Sequence, residues 1–214
     1  MIVALDGGAA SGKSAVGRRV AEALGLPFVD TGLMYRAIAA LAIDSGLSSS
    51  DSEALTDLAG ATPLRVVGDT VWAGETDLTG RMYQPDVAAS VSAVASVAGV
   101  REALVRRQRA MGAGGVVMAG RDIGTVVFPD ADHKFFLTAS LDERVRRRAA
   151  QFERRGEAAG AEVMAREIRE RDRADSEREV SPLRAAGDAV VVDTDGLEIE
   201  GVVGAILTAI EARA

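Results

Sequence analysis

Apolar residues recur along the chain in two rhythms, short unbroken runs and spacings of three and four. The run at 2–6 (IVALD) is halted by glycines and predicts a buried strand. Over 14–24, Val16, Val20 and Leu24 return at helical spacing and Gly25 supplies a stop. A second strand is expected at 27–30, then a helix from about 33 to 45 and a short helix at 51–60, capped by Asp51 or Ser52. Two brief β-rich runs at 64–67 and 70–73 flank Gly68-Asp69, a good hairpin turn. Leu78-Thr79-Gly80 prolongs this irregular patch until Pro85 opens a new helix. Helices at about 86–97 and 100–111 then precede strands at 115–119 and 133–137. Arginine-rich helices at about 142–155 and 161–177, a strand at 189–193 and an amphipathic helix at 197–212 complete the pattern. Strands separated by helices predict one α/β domain: a parallel sheet of about five strands, helices on both faces, and a small β insertion at about 62–84.

Composition narrows the chemistry. The 214 residues are 48% hydrophobic and 27% charged, enough for one sizeable core. With no cysteine and only His133, disulfides, thiol nucleophiles and Cys/His metal cages are excluded. No apolar run reaches the roughly 18 residues of a membrane span, and the chain enters a strand at once with no basic leader. The expectation is a cytoplasmic protein without a membrane partner. A net charge of −7 argues against a nucleic-acid partner. Of the 25 basic residues 23 are arginine, the exceptions being Lys13 and Lys134, and asparagine is absent. A GC-rich coding bias accounts for most of this, which makes the lysine at position 13 informative.

That lysine lies in Gly7-Gly8-Ala9-Ala10-Ser11-Gly12-Lys13-Ser14, which fits G-x-x-x-x-G-K-[ST] between a predicted strand and a predicted helix. Small residues let backbone N–H groups turn inward around a phosphate, and the helix that follows points its positive end there. Lys13 supplies a compact charge for the β- and γ-phosphates, and the Ser14 hydroxyl is the candidate Mg²⁺ ligand. The eight residues, with Ala15 continuing into the helix, are the candidate ATP-binding segment. A GTPase needs N-K-x-D to read guanine, which a chain without asparagine lacks. A compact kinase acting on a small acceptor remains.

Candidates for the acceptor side follow the later strands. In Asp30-Thr31-Gly32-Leu33-Met34-Tyr35-Arg36 a hydroxyl at a helix start and an arginine one turn on can hold a second anion. A plain N-cap with a solvated arginine explains the same residues equally well. Gly120-Arg121-Asp122 follows the third strand, at the sheet end where open parallel sheets bind ligands; an internal Arg–Asp pair is the alternative. On the helix at 161–178, Met164, Ile168, Arg171, Asp175 and Arg178 share a stripe that turns from apolar to ionic. Such a stripe lines a polar pocket or frays into water. Arg144, Arg146, Arg147, Arg148, Arg154 and Arg155 crowd the preceding segment, either as a solvated face or as a lid whose arginines neutralise a transferring phosphoryl group.

Together these residues resemble bacterial cytidylate kinases over almost the whole chain. DTGLMYR (30–36), VREALVRRQR (100–109), GRDIGTVVFPDA (120–131) and EIRERDRADSEREVSPL (167–183) carry the likeness most specifically. The resemblance implies a P-loop nucleoside monophosphate kinase-like fold, with an NMP-binding region at about 31–98 and an arginine-rich lid at about 144–160. It implies that Thr31, Arg36 and Arg121 grip the CMP phosphate beside Tyr35. It further implies that Ser92, Arg101, Asp122 and Arg178 read cytosine, and that Arg171 and Asp175 lie near the sugar. Lys13, Arg121, Arg147 and Arg148 are then the catalytic charges. The chain departs from the family pattern at Gly8, usually proline, at Tyr83-Gln84, usually an arginine-centred stretch, and at Pro85, usually polar. The expected reaction is phosphorylation of CMP and dCMP by ATP with Mg²⁺, in a monomer. UMP, AMP or shikimate as acceptor, or a non-catalytic nucleotide-binding regulator, are the alternatives.

Because the guanidinium fork cannot replace a compact ammonium charge, Lys13→Arg is expected to lose turnover by at least about a hundredfold while melting like the wild type. Near-normal turnover in a steady-state assay of that variant would contradict the point-charge reading.

Overall fold

The computed structural model describes residues 1–154, 156 and 160–212. The chain runs β1 (Ile2–Gly7), α1 (Lys13–Leu24), β2 (Phe28–Asp30), α2 (Thr31–Asp44) and α3 (Ser52–Ala61). Three short strands follow, β3 (Leu64–Val67), β4 (Thr70–Ala73) and β5 (Thr76–Asp77), then a single 3₁₀ turn at Arg81–Tyr83. Next come α4 (Pro85–Ser96), α5 (Ala98–Met111), β6 (Val116–Gly120), a π-helical turn at Ile123–Val127 and β7 (His133–Thr138). The remaining elements are α6 (Leu141–Arg154), α7 (Ala161–Glu177), β8 (Val190–Asp193) and α8 (Ile199–Glu211).

The five apolar runs form one sheet in the order β2-β6-β1-β7-β8, every neighbouring pair parallel. Alternation along central β1 sends Val3 and Leu5 to one face and Ala4 to the other, all fully buried. The first face packs on Val16 and Val20 of α1 and on Val202, Val203, Ile206 and Ile210 of α8. The second packs on Val105 of α5 and on Ile123 and Val127 of the π turn. This is the α/β architecture expected from the pattern, with the insertion as a separate antiparallel sheet β3-β4-β5. Val71 of that sheet, with Leu78 and Met82 of the segment after it, packs onto Leu33 and Ala37 of α2. Helices α2 to α5 share a second core around Ile38, Leu55, Val91 and Leu104.

Several boundaries differ from the sequence reading for identifiable reasons. Helix α2 starts two residues early because Asp30 caps it, its carboxylate accepting from the Gly32 N–H at 3.0 Å. Thr76–Asp77 adds a third strand where only an irregular patch is expected. Pro85 occupies the first turn of α4, where its missing N–H costs nothing. Arg178 is not on α7: the helix ends at Glu177 and Arg178 is extended. Of the expected lid at about 144–160, Arg144, Arg146, Arg147, Arg148 and Arg154 lie on α6, whereas Arg155 and residues 157–159 fall outside the described residues.

The phosphate loop, the start of α2 and the Gly120-Arg121-Asp122 turn all follow the carboxyl ends of parallel strands. Gly7 ends β1 so close to β7 that a Cβ there would stand 2.2 Å from the Leu137 carbonyl oxygen. Its φ of 150°, together with that clearance, lets the chain leave the sheet at once and begin the loop.

Candidate active site

The loop between β1 and α1 is shaped as its composition requires. Ala10 and Gly12 both take positive φ, 57° and 94°, the left-handed turns that aim successive N–H groups inward. Lys13 is the first residue of α1 and is buried; its ammonium donates to the Gly8 carbonyl at 2.6 Å and to Ser11 Oγ at 3.1 Å. Ser14 Oγ donates to Asp30 Oδ2, so the hydroxyl at the head of α1 meets a carboxylate at the end of β2. Two hard oxygens beside the lysine are the donor set a Mg²⁺ ion prefers, with phosphate oxygens and water to complete the shell. Arg147 lies on the outer side of this loop, donating to the Ser11 carbonyl at 3.3 Å, to Thr194 Oγ1 at 2.9 Å and to the Thr194 carbonyl at 2.7 Å.

The acceptor candidates meet across the sheet ends. Thr31 Oγ1 donates to the Ala119 carbonyl at 3.0 Å, fastening the start of α2 to β6. Arg36 reaches the Met82 carbonyl at 3.2 Å and so joins α2 to the insertion. Arg101, 2% exposed, donates to Asp122, 4% exposed, at 2.5 Å and stacks its guanidinium over Tyr35, 5.2 Å from the ring centroid. Asp175 bridges two further arginines, accepting from Arg121 Nε at 2.8 Å and from Arg178 Nη1 at 3.4 Å. Arg178 also donates to the Ser181 carbonyl at 2.5 Å, which turns it back into the pocket although it has left the helix. Ser92 is half-buried on α4 and, among the described residues, has no hydrogen bond to this set. Arg148 stacks on Phe152.

Electrostatics identifies what the pocket lacks. Burial, and then the charge of Arg121, push Lys13 well below the ordinary lysine value, although Asp30 and Asp6 pull it back. Burial brings Arg171 down to about 9, helped by Arg121 and Arg36. Burial alone would raise Asp175, but Arg121, Arg171 and Arg178 hold it below the usual carboxylate range. Arg101 Nε, Arg171 Nε, Arg178 Nη2 and Tyr35 Oη are buried with no hydrogen-bond partner among the described residues. Buried donors and crowded cations call for anionic ligands.

Sequence reasoning assigned no role to three carboxylates that the fold brings here, and gave Arg144, which pairs with one of them, only as one of several lid arginines. Asp6 accepts from the Ile123 and Gly124 N–H groups, each at 2.8 Å, and so ties the phosphate loop to the Gly120-Arg121-Asp122 turn. Asp30 faces Ser14. Asp172 and Arg144 meet over the phosphate loop, Asp172 accepting from the Ala9 N–H at 2.8 Å. Asp6 and Asp30 each end an apolar strand next to a motif, a signal open to sequence reading. Asp172 and Arg144 lie among many like charges on two arginine-rich helices, where nothing in the local pattern singles them out.

Comparison with known proteins places this geometry in context. The family model for cytidylate kinase matches residues 3–212. The cytidylate kinase of Desulforamulus reducens is 46% identical, covering 98% of this chain and 96% of that protein. That of Bacillus velezensis is 44% identical, covering 99% and 96%. A bifunctional pantoate ligase/cytidylate kinase from a Synechococcus strain is 48% identical over 92% of this chain, which spans only 38% of that longer protein. Among solved structures, a shikimate kinase from Bacteroides thetaiotaomicron superposes with a TM-score of 0.53 at 16% identity, covering 99% of this chain and 98% of that one. That likeness concerns the fold alone.

Asp6 supplies a test of this site in its stability. Burial pushes its carboxyl up from 3.8 to about 6 against the pull of the two N–H groups. Between these values the folded chain holds a proton that the unfolded chain has lost. Its stabilising contribution is therefore full below the unfolded value and is lost as pH rises through the folded one. Urea unfolding of wild type and Asp6→Asn is expected to show a larger stability gap at about pH 4 than at about pH 7.5. A gap independent of pH would mean that Asp6 titrates as an ordinary aspartate.

Proposed function

Because the chain belongs to the cytidylate kinase family, we propose that it moves the γ-phosphoryl group of ATP to CMP and dCMP, giving ADP with CDP or dCDP. The observation that carries the choice of base is the buried Arg101–Asp122 pair, with Arg178 close by. An aspartate already fixed by an arginine offers its free lone pairs to the exocyclic amino group of cytosine. Uracil presents a carbonyl oxygen at that position and would face the carboxylate with repulsion.

In this reading Gly7 to Ala15 cradle the donor phosphates, and Lys13 follows the charge that develops on the γ-phosphoryl group. A phosphate oxygen of CMP attacks the γ-phosphorus in line, the bond to the β–γ bridging oxygen breaks, and ADP leaves. The nucleophile is already ionised, so no strong general base is needed and a single histidine is no obstacle. Thr31, Arg36 and Arg121 hold the acceptor phosphate, with Tyr35 beside them. Ser92, Arg101, Asp122 and Arg178 read the base, and Arg171 and Asp175 sit near the sugar. Arg147 and Arg148 join Arg121 in neutralising the transferring group. Mg²⁺, held through Ser14 with Asp30 beside it, would screen the phosphate charges. Catalysis is then positioning and electrostatic stabilisation. The protein acts as a cytoplasmic monomer on small molecules, with neither nucleic acid nor membrane as partner.

A coupled ADP-release assay across CMP, dCMP, UMP, AMP and shikimate is expected to give high kcat/KM for the two cytidine nucleotides. In Asp122→Asn, whose amide can donate to the uracil oxygen, the CMP/UMP ratio should shrink by at least about tenfold. Preference for any of the other three acceptors would overturn the reading. A ratio unchanged in Asp122→Asn would make that residue a structural partner of Arg101.

A further inference from the structure

The phosphate loop already carries a carboxylate. Asp172 Oδ1 accepts from the Ala9 N–H at 2.8 Å, one of the amide donors with which such a loop grips phosphate oxygens. The same carboxylate pairs with Arg144 of α6, whose Nη1 lies 3.4 Å from the Ala9 carbonyl oxygen. Gly8 makes the approach possible: a Cβ there would stand 3.0 Å from both Arg144 Nη1 and an Asp172 carboxylate oxygen.

Asp172 is placed on α7 to do more than brace a loop. Consecutive helix residues point about 100° apart, so Arg171 and Asp172 serve different sides of the same helix. Arg171 and Asp175 face the Arg121 and Arg36 cluster on the acceptor side, while Asp172 faces the donor loop. A carboxylate left in that position would repel an incoming triphosphate and compete with it for the Ala9 N–H. We propose that Asp172 is a displaceable occupant of the phosphate loop: the donor's phosphate evicts it, and α7 carries that displacement to Arg171 and Asp175, which flank it on the helix surface. The inference rests on the kinase reading above, with Asp172 as a positioning residue that sets the order and strength of binding.

Titration calorimetry with inorganic tripolyphosphate isolates this step, because it reads donor-loop binding whether or not CMP is the acceptor. Asp172→Ala removes the competing carboxylate, and Asp172→Asn keeps the shape but loses the charge. Both are expected to bind tripolyphosphate about tenfold more tightly than wild type, since an internal competitor lowers apparent affinity by the fraction of molecules it occupies. In wild type, saturating tripolyphosphate should change CMP affinity several-fold; in Asp172→Ala that coupling should shrink to the part that passes directly through the shared cations. Melting curves establish that each variant is folded, and the asparagine variant decides the matter if the alanine variant is not. Unchanged or weaker tripolyphosphate binding would overturn the proposal and make Asp172 a clamp that supports the loop. Intact coupling in a folded Asp172→Ala would overturn the transmission through α7. Failure of the kinase reading would appear separately, as absent CMP phosphorylation with tripolyphosphate binding still measurable.

Discussion

The mutual repulsion of Lys13, buried at the head of α1, and the partly buried Arg121 and Arg171 is the constraint on which the rest of the chain depends. Lys13 and Arg171 each pay a desolvation cost, and the charge of Arg121 adds to both. Like charges stay together in a folded protein only where the scaffold holds them firmly and a ligand relieves them. Here the scaffold is a five-stranded sheet with full cores on both faces, which fixes where β1, β2 and β6 end. Asp6, Asp30 and Asp175 temper the cluster: one pins the acceptor turn, one faces Ser14 and one spans Arg121 and Arg178. Two polyanionic nucleotides would complete the balance.

Helix α7 and the turn after β6 each present charged residues to two sides of the site. The turn places Arg121 toward Asp175 and Asp122 toward Arg101, so consecutive residues enter two different ion-pair groups, which the proposed function assigns to phosphate and to base. Helix α7 anchors its first half by Met164 and Ile168 and leaves its second half ionic. The insertion sheet packs on α2 and receives Arg36 through the Met82 carbonyl, so one acceptor arginine depends on the insertion for its place.

Much of this was legible in the sequence because it follows from local rules. Short apolar runs between helical segments predicted the five strands, and Gly68-Asp69 between β-rich runs predicted the hairpin of the insertion. Lys13 stood out because the chain otherwise favours arginine. The stripe from Met164 to Arg178 predicted a helix with one apolar and one ionic half, which the structure bears out as far as Asp175. What escaped depended on contacts between distant segments. The π turn at Ile123–Val127 is supported by Asp6, more than a hundred residues earlier. The pairing of Asp172 with Arg144 needs α6 and α7 laid side by side, which no periodicity within either helix reveals. Arg178 joins the pocket through the turn at Ser181, after the helix that seemed to carry it has ended.

The central claim is that one cluster of buried cations serves two nucleotides at once. Its most direct test is the binding of adenosine and cytidine joined through a pentaphosphate, measured by calorimetry and by competition. The account predicts a single molecule bound per chain, far more tightly than ATP or CMP alone, and excluded by either nucleotide at high concentration. Binding no tighter than ATP, or displacement by only one of the two nucleotides, would contradict it.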